Sequence, residues 1–309
     1  MNDPGKKSGG ALAWRVSLSA VIVPSLIALF MWDHHLGSRA PVLQVLCLAL
    51  VLRASFEATS LLTTRKLQPN WQLVAFCSMM VVLSGWIVPW YTPSENIPNS
   101  LESVGHIGLA FSLCVLILFL AGAIRYREAG QSMETLGAEL IAVAYIGLLI
   151  ALTSQLRWVA GSDAGYLVLG SVVIAAKGGD IMAYTFGRLW GKRKMVPRLS
   201  PGKTWMGAVG AMVGSGLGGW AWLYWGTPLF NASWQPCNAL VAIGYCVMIG
   251  IVGLIGDLCE SLIKRDVGKK DAAPLLPGFG GLLDLLDSVI YAGPVAYLLW
   301  QVLPLATWL

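Results

Sequence analysis

Charged residues are scarce in this chain, and their scarcity excludes a soluble globular domain. Only 12% of the 309 residues are Asp, Glu, Lys or Arg, whereas 56% are hydrophobic. A soluble domain carries about 25% charged residues. Long apolar stretches take their place, and a stretch of about 20 apolar residues is long enough to cross a bilayer. The composition therefore predicts an integral membrane protein.

Cysteine and histidine are also few, and neither is arranged as a known type of site. The six cysteines show no paired spacing, and five of them fall in or at the ends of apolar stretches. This pattern predicts neither a disulfide framework nor a zinc site. The three histidines, His34, His35 and His106, lie on segments that offer them no catalytic partner.

Nine apolar stretches along the chain have the length of a membrane span. They cover residues 14–32, 41–62, 72–91, 104–125, 137–158, 165–187, 205–225, 237–258 and 287–308. We therefore expect an all-α, polytopic membrane protein with about nine transmembrane helices. Residues 1–136 are expected to form a generic part of the bundle. Residues 137–309, where the polar residues concentrate, are expected to form the catalytic part of the same membrane-embedded unit.

The basic residues are divided unevenly among the loops. Seventeen of the 21 Lys and Arg residues fall at the N-terminus and in every second loop after it, and only Arg39 and Arg157 lie in the other loops. The positive-inside rule then places the N-terminus and the basic loops in the cytoplasm and the C-terminus outside, in the cytoplasmic (inner) membrane of the cell. These loops account for the net charge of +5, which indicates contact with anionic lipid or phosphate rather than nucleic acid.

The first polar cluster closes the sixth stretch and reads KGGDIMAYTFGRLWGKRKMVPRLSPGKT. Lys177 and Asp180 stand one helical turn apart in it, as either a functional pair or a salt bridge that fixes the helix. A basic loop follows and ends in SPGKT. Ser200 is predicted to cap the seventh helix with Pro201 at its first position, which would make an anion site. The alternative is that the basic loop only enforces topology. In the seventh helix, glycines four residues apart predict a close packing ridge.

The second polar cluster lies between the last two stretches and reads GDLCESLIKRDVGKKDAAPLLPGFGGLLDLLDS. Asp257, Glu260 and Lys264 share one face if the eighth helix continues, and Asp284 and Asp287 share a face of the ninth. A turn rich in proline and glycine would bring the two faces together. Converging carboxylates hold hard divalent cations, and a cation with several Lys and Arg residues suits a nucleoside triphosphate. A structural ion-pair network is the alternative.

Both clusters resemble signatures of the phosphatidate cytidylyltransferase (CDP-diacylglycerol synthase) family. The C-terminal signature, S-x-x-K-R-x4-K-D-x4-L-P-G-H-G-G-x-x-D-R-x-D, is matched by Ser261, Lys264, Arg265, Lys270, Asp271, Leu276, Pro277, Gly278, Gly280, Gly281, Asp284 and Asp287. The upstream patterns, D-x-x-A-Y-x-x-G-R-x-x-G-K and S-P-x-K-T-W-E-G, are matched by Asp180, Ala183, Tyr184, Gly187, Arg188, Gly191, Lys192, Ser200, Pro201, Lys203, Thr204, Trp205 and Gly207. The resemblance covers residues 165–290.

The resemblance implies that CTP and phosphatidic acid in the bilayer give CDP-diacylglycerol and pyrophosphate. It implies Mg²⁺, with a second cation left open, held by Asp257, Asp284 and Asp287. The implied catalytic residues are Asp257, Lys264, Asp284 and Asp287. The implied substrate-binding residues are Asp180, Arg188, Ser200, Lys203, Thr204, Lys264, Arg265, Lys270 and Asp271. Asp271 would either orient a lysine or join the metal shell, no nucleic-acid partner is expected, and the sequence is compatible with a homodimer.

Three positions depart from the family pattern. Met206 stands in place of a glutamate, Phe279 in place of a histidine and Leu285 in place of an arginine. These changes indicate either a subfamily with an altered lipid acceptor or a weakened enzyme, and the retained carboxylates favour an active subfamily member. Two other functions remain open. One is a CTP-dependent lipid kinase of the polyprenol or phytol type, and the other, less favoured, is a transporter.

Overall fold

The computed structural model of the chain describes residues 6–63, 67–92, 100–127, 130, 132–161, 164–269 and 281–308. The α-helices are α1 Lys6–His35, α2 Pro41–Leu62, α3 Trp71–Ser84, α4 Ile87–Tyr91, α5 Ser100–Arg125, α6 Ser132–Ala142, α7 Leu149–Ser154, α8 Gly165–Trp190, α9 Trp205–Phe230, α10 Ala239–Asp266 and α11 Leu282–Val302. A π-helical turn, Val143–Leu148, joins α6 to α7, and a 3₁₀ turn, Gln155–Arg157, follows α7. Two short antiparallel pairs complete the fold, β1 Lys194–Val196 with β2 Ser200–Thr204 and β3 Trp234–Pro236 with β4 Ala306–Trp308.

The helices have the lengths that a multi-pass membrane protein requires, so the predicted all-α membrane class is confirmed. Six helical stretches in the described part of the chain are long and apolar enough to cross a bilayer: Pro41–Leu62, Ser100–Arg125, Ser132–Arg157, Gly165–Trp190, Ala239–Asp266 and Leu282–Val302. Two shorter apolar helices cover Ala20–His35 and Trp71–Ser84. The count of nine spans and the division at residue 136 stay predictions.

Several of the predicted spans have different limits in the structure, the third and the ninth among them. The third, 72–91, is divided at Gly85 and Trp86 into α3 and α4, and the carbonyl of Gly85 accepts a hydrogen bond from Gln155 Nε2 at 3.2 Å. The ninth, predicted at 287–308, begins at Leu282 and ends at Val302. The helix starts earlier because Asp284, in its first turn, accepts a hydrogen bond from the backbone N of the N-cap Gly281 and so stabilises this end.

Two apolar clusters form the core, and α11 belongs to both. The first joins α2, α3, α5 and the α6–α7 segment, and it includes Leu283 and Ile290 of α11. The second joins α8, α9 and α10, and it includes Ala292 and Ala296 of α11. The first turns of α11, which carry Asp284 and Asp287, therefore lie where the two halves of the molecule meet.

The glycines of α9 let it pack closely on α8. A Cβ atom at Gly214 would lie 2.4 Å from Gly178 O, and one at Gly210 would lie 2.5 Å from Met182 O. Side chains at these two positions would therefore push the helices apart. The predicted packing ridge is confirmed there, and it holds the end of α8 beside the hairpin and α10.

Candidate functional site

The basic loop after α8 folds as a hairpin. β1 and β2 pair antiparallel, and α9 begins only at Trp205, where the Thr204 hydroxyl accepts a hydrogen bond from Gly207 N at 3.0 Å. The prediction that Ser200 caps this helix is wrong, because Ser200 and Pro201 lie in β2 and Thr204 is the N-cap. Strand pairing satisfies backbone groups that an earlier helix start would leave open.

Lys203 connects this hairpin to α10. Its Nζ lies 2.8 Å from Asp257 Oδ2 and also donates a hydrogen bond to Leu254 O at 3.3 Å. The lysine side chain is 14% exposed and the aspartate side chain 38% exposed. Two residues that the sequence assigned to different ligands, one to phosphate and one to metal, are therefore direct neighbours.

Three carboxylates converge between α10 and α11. Asp257, Glu260 and Asp287 each offer one oxygen atom, and these atoms lie within 4.8 Å of one another. Glu260 is 3% exposed and Asp287 4%. Glu260 Oε1 is buried and has no hydrogen-bond partner among the described residues. Buried like charges repel one another, so this group favours the binding of a cation.

Lys264 lies on the same face of α10, one turn beyond Glu260. Its Nζ donates to Glu260 Oε2 at 2.9 Å and to Asp284 Oδ1 at 2.5 Å. The second oxygen of Asp284 accepts a hydrogen bond from Gly281 N at 2.7 Å and so caps α11. Both oxygens of Asp284 thus have protein partners, and it is Glu260 that completes the group with Asp257 and Asp287.

Lys177 and Asp180 link α8 to α11. Lys177 Nζ donates to Asp180 Oδ2 at 3.0 Å and to Ser288 Oγ at 2.8 Å. Ser288 follows Asp287, and its backbone N donates to Asp287 Oδ1 at 2.6 Å. The pair therefore does more than fix α8, because it also contacts the residue beside a member of the carboxylate group.

Glu57 of α2 reaches the site from the other half of the molecule. It is fully buried, and its Oε2 accepts a hydrogen bond from Leu283 N at 3.1 Å. Its Oε1 accepts a bond from Arg53 Nε at 2.9 Å. An anion at a helix N-terminus is favourable, so Glu57 helps to fix the first turn of α11. A glutamate inside an apolar span is the sequence signal of such a role, because an ionisable residue there needs a partner.

A pocket of about 440 Å³ opens between α8, β2, α9 and α10. Predicted site residues form part of its lining: Asp180, Arg188, Lys203, Thr204 and Asp257. Small residues, among them Gly187, Gly202 and Gly207, form much of the remaining wall. Such a wall lets a ligand approach the backbone closely.

Other predicted residues lie outside this pocket. Ser200 is in β2 but does not line it, and Arg265 is directed to backbone oxygens, with Nε 3.3 Å from Leu199 O. Lys264 and Asp284 lie on the far side of the carboxylate group, where Lys264 lines a second pocket. Lys270 and Asp271, like Phe279 and the predicted Pro-Gly turn, lie outside the described residues.

The carboxylate group fits a magnesium ion. Mg²⁺ prefers oxygen ligands and is commonly held by one or two carboxylates together with substrate phosphates. Asp257, Glu260 and Asp287 supply those oxygens, and the unpartnered Glu260 Oε1 is an acceptor that a cation would satisfy. Asp257 also lines the 440 Å³ pocket, so a cation here would be within reach of a bound phosphate.

A comparison with known protein families shows which family the chain belongs to. The model of the Cytidylyltransferase family matches residues 13–303. The chain belongs to this family. The two polar clusters lie inside the matched region, so the site can be compared with that of other members of the family.

Three curated relatives illustrate the similarity of this family member to known proteins. The phosphatidate cytidylyltransferase of Pseudomonas aeruginosa is 42% identical over 131 residues, which are 42% of this chain and 46% of the relative. That of Chlamydia pneumoniae is 34% identical over 191 residues, 60% of each chain. The uncharacterized protein YnbB of Escherichia coli K12 is 41% identical over 133 residues, 43% of this chain and 42% of the relative. The alignments thus span between two fifths and three fifths of these relatives.

Two departures from the family signature are visible in the structure. Met206 lies in the first turn of α9, two residues after the N-cap Thr204, and Leu285 lies in the first turn of α11 between Asp284 and Asp287. Both are partly buried. An acid and an arginine are therefore replaced by neutral side chains at the two helix starts that border the site.

Proposed function

We propose that this protein is a CTP:phosphatidate cytidylyltransferase, which forms CDP-diacylglycerol and pyrophosphate. The observation that carries the proposal is the group formed by Asp257, Glu260 and Asp287, placed beside a pocket that presents Lys203 and Arg188. Carboxylates for a cation and basic residues for phosphate are what a membrane-embedded family member needs to use a nucleoside triphosphate.

The 440 Å³ pocket is the proposed site for CTP. Lys203 and Arg188 would neutralise its phosphates, and the small residues of the wall would let backbone N–H groups approach them. Lys203 already faces an anion, Asp257, so its ammonium is positioned for an anionic ligand. Of the residues that the sequence proposed for substrate binding, Asp180 and Thr204 also border this pocket.

The reaction would be an attack of the lipid phosphate oxygen on the α-phosphorus of CTP, with pyrophosphate leaving in line. Both reactants are anions, so neutralisation of charge matters more than proton transfer. A bound Mg²⁺ would supply positive charge to the phosphates in that transition state. Asp257, Glu260 and Asp287 would hold it, and Lys264 would keep Glu260 and Asp284 in place through its two ion pairs.

The test is an assay of the purified protein with radiolabelled CTP, Mg²⁺ and phosphatidic acid in mixed micelles, followed by separation of the lipid products. CDP-diacylglycerol and pyrophosphate are the expected products, and chelation of the divalent cation is expected to abolish them. A phosphorylated lipid alcohol with CDP, formed when a polyprenol or phytol is supplied, would replace the proposal by a lipid kinase. Solute flux into proteoliposomes without nucleotide turnover would replace it by a transporter.

We also propose that the site faces the cytoplasm of a bacterial-type inner membrane, with nine spans and the C-terminus outside. The uneven division of Lys and Arg among the loops supports this, as does the charge of CTP, which cannot cross a bilayer. A cysteine introduced at Lys194, in a cysteine-free background, should escape an impermeant thiol reagent in intact cells, and one at Ser233 should react. Labelling at Lys194 in sealed cells would overturn the orientation.

A further inference from the structure

The hairpin β1–β2 and the two residues before it carry a dense group of exposed positive charges. Four basic side chains lie there, all of them exposed, and they are called here the hairpin cations: Lys192, Arg193, Lys194 and Arg198. None of them is ion-paired with an acidic side chain in the described part of the chain. The basic side chains that are so paired lie on helices or in the site: Arg53, Arg125, Lys177, Lys203 and Lys264. The hairpin therefore presents a positive surface that the described part of the protein does not neutralise.

The hairpin cations lie apart from the proposed nucleotide site. The 440 Å³ pocket is lined by Arg188 and Lys203, and none of the hairpin cations is among its lining residues. They lie on exposed chain around a two-stranded hairpin, so they offer a row of charges rather than an enclosed site. Such a row suits a surface that itself carries many negative charges, whereas a small ligand is usually held in a concave pocket.

Two exposed tryptophans place the hairpin at the level of the bilayer surface. α8, which has the length and composition of a membrane span, ends at Trp190, and α9 begins at Trp205. Their side chains are 55% and 52% exposed, and tryptophan is enriched where a membrane meets water. Trp205 N donates a hydrogen bond to Arg193 O at 3.1 Å, so Arg193 lies directly beside this tryptophan. Exposed charges attract over about 8 Å at physiological ionic strength, which brings lipid headgroups beside Trp205 within reach of Arg193.

We propose that the hairpin cations bind the headgroups of anionic phospholipids at the bilayer surface. Charge selects this partner, because a segment of several Lys and Arg residues at a membrane surface attracts anionic lipid, and each residue strengthens the attraction about fivefold. The headgroups act as a docking surface and are not substrate, so the inference does not depend on the proposed reaction. Gly202, Lys203 and Thr204 of β2 line the 440 Å³ pocket, so a docked hairpin would hold this wall of the pocket against the bilayer surface.

The first test measures the position of the hairpin. A cysteine at Pro197, in the exposed turn between β1 and β2, is labelled with bimane in a cysteine-free protein, which is placed in nanodiscs of phosphatidylcholine with or without phosphatidylglycerol. A nitroxide on the lipid headgroup is expected to quench the label about twofold more strongly in the discs with phosphatidylglycerol, and about 1 M salt should remove the difference. Equal quenching in both discs would show that the basic loop only sets topology and would overturn the proposal. The same change caused by inorganic pyrophosphate in lipid-free detergent would overturn it in favour of a soluble anion.

A second measurement uses the chain with its native cysteines. The neutralised variant Arg193→Gln/Lys194→Gln/Arg198→Gln is compared with Arg193→Lys/Lys194→Arg/Arg198→Lys, which keeps all three charges. Each protein is purified in detergent with equal amounts of the two lipids, and the retained lipids are counted by native mass spectrometry. The ratio of phosphatidylglycerol to phosphatidylcholine is expected to fall about fivefold or more on neutralisation and to stay at the wild-type value in the charge-preserving variant. An unchanged ratio in the neutralised protein, or an equal fall in both variants, would overturn the docking surface. Neither measurement requires turnover, so such a result would leave the proposed function standing.

Discussion

Replacing Asp287 by asparagine is expected to lower turnover by about a thousandfold or more, because an amide keeps the shape of the side chain but loses the charge that holds a cation. Asp287 is nearly buried and belongs to the carboxylate group with Asp257 and Glu260. The rate is measured in the CDP-lipid assay across a wide range of Mg²⁺ concentrations, with thermal unfolding in detergent as a check of folding. Glu102→Gln, on an exposed side chain of α5, is the matched control and should keep the wild-type rate. A folded Asp287→Asn protein with near wild-type turnover would show that the group does not hold the metal.

The same Mg²⁺ titration distinguishes the metal ligands that the structure indicates, which include Glu260, from those that the sequence predicted, which include Asp284. Glu260→Gln is expected to raise the Mg²⁺ concentration for half-maximal activity by about tenfold or more. Asp284→Asn is expected to change that concentration less, because the oxygens of Asp284 are bonded to Lys264 and to Gly281 N. A larger shift for Asp284→Asn than for Glu260→Gln would return Asp284 to the metal set that the sequence suggested.

Among the single substitutions at the site, Lys264→Met is expected to cause the largest loss of protein stability. The Lys264 side chain is 11% exposed and is the ion-pair partner of both Glu260 and Asp284, which are 4% and 15% exposed. Without the Lys264 ammonium, the two nearly buried carboxylates have no ion-pair partner. The loss of one partner from a buried ion pair costs about 3–5 kcal/mol. The melting temperature in detergent should fall clearly below that of the wild type.

A control and a rescue variant accompany this measurement. Lys269→Met removes an exposed lysine beyond the end of α10 and should leave the melting temperature unchanged. The double variant Lys264→Met with Asp284→Asn should recover part of the loss, since one of the two unpaired charges is removed. If Lys264→Met melts like the wild type, the ion pairs contribute nothing to the fold.

The helices and one side of the site follow from sequence pattern, but the choice among the carboxylates does not. Helical periodicity places Asp257 and Glu260 on one face of α10, and Asp284 and Asp287 on one face of α11. Which carboxylate of each helix turns inward depends on how the two helices cross, and that is set by tertiary packing. The sequence therefore indicated a metal group at this position, while the structure is needed to bring Glu260 into it.

Two further features of the structure could not be predicted from the local sequence pattern, for different reasons. The SPGKT segment has a proline and a serine typical of a helix start, yet it pairs with β1 as a strand, because a partner strand lies a few residues before it. The contact between Glu57 and Leu283 joins positions 226 residues apart. In the sequence, such a contact is indicated only by a charged residue, Glu57, inside an apolar span. Leu283 gives no such indication, because it contributes only its backbone N–H.

The ion pair between Lys203 and Asp257 makes the two proposed ligands thermodynamically dependent on each other. The ammonium and the carboxylate, 2.8 Å apart, each neutralise the other, so a divalent cation that takes the carboxylate releases the ammonium for a phosphate. A phosphate that takes the ammonium likewise leaves the carboxylate free for the cation. The ligand that binds first breaks the ion pair, so the second ligand binds without that cost. Each ligand therefore favours the binding of the other by the same free energy. Such a reciprocal exchange would make the apparent affinity for nucleotide rise with the metal concentration through the protein itself, in addition to any complex that the two form in solution.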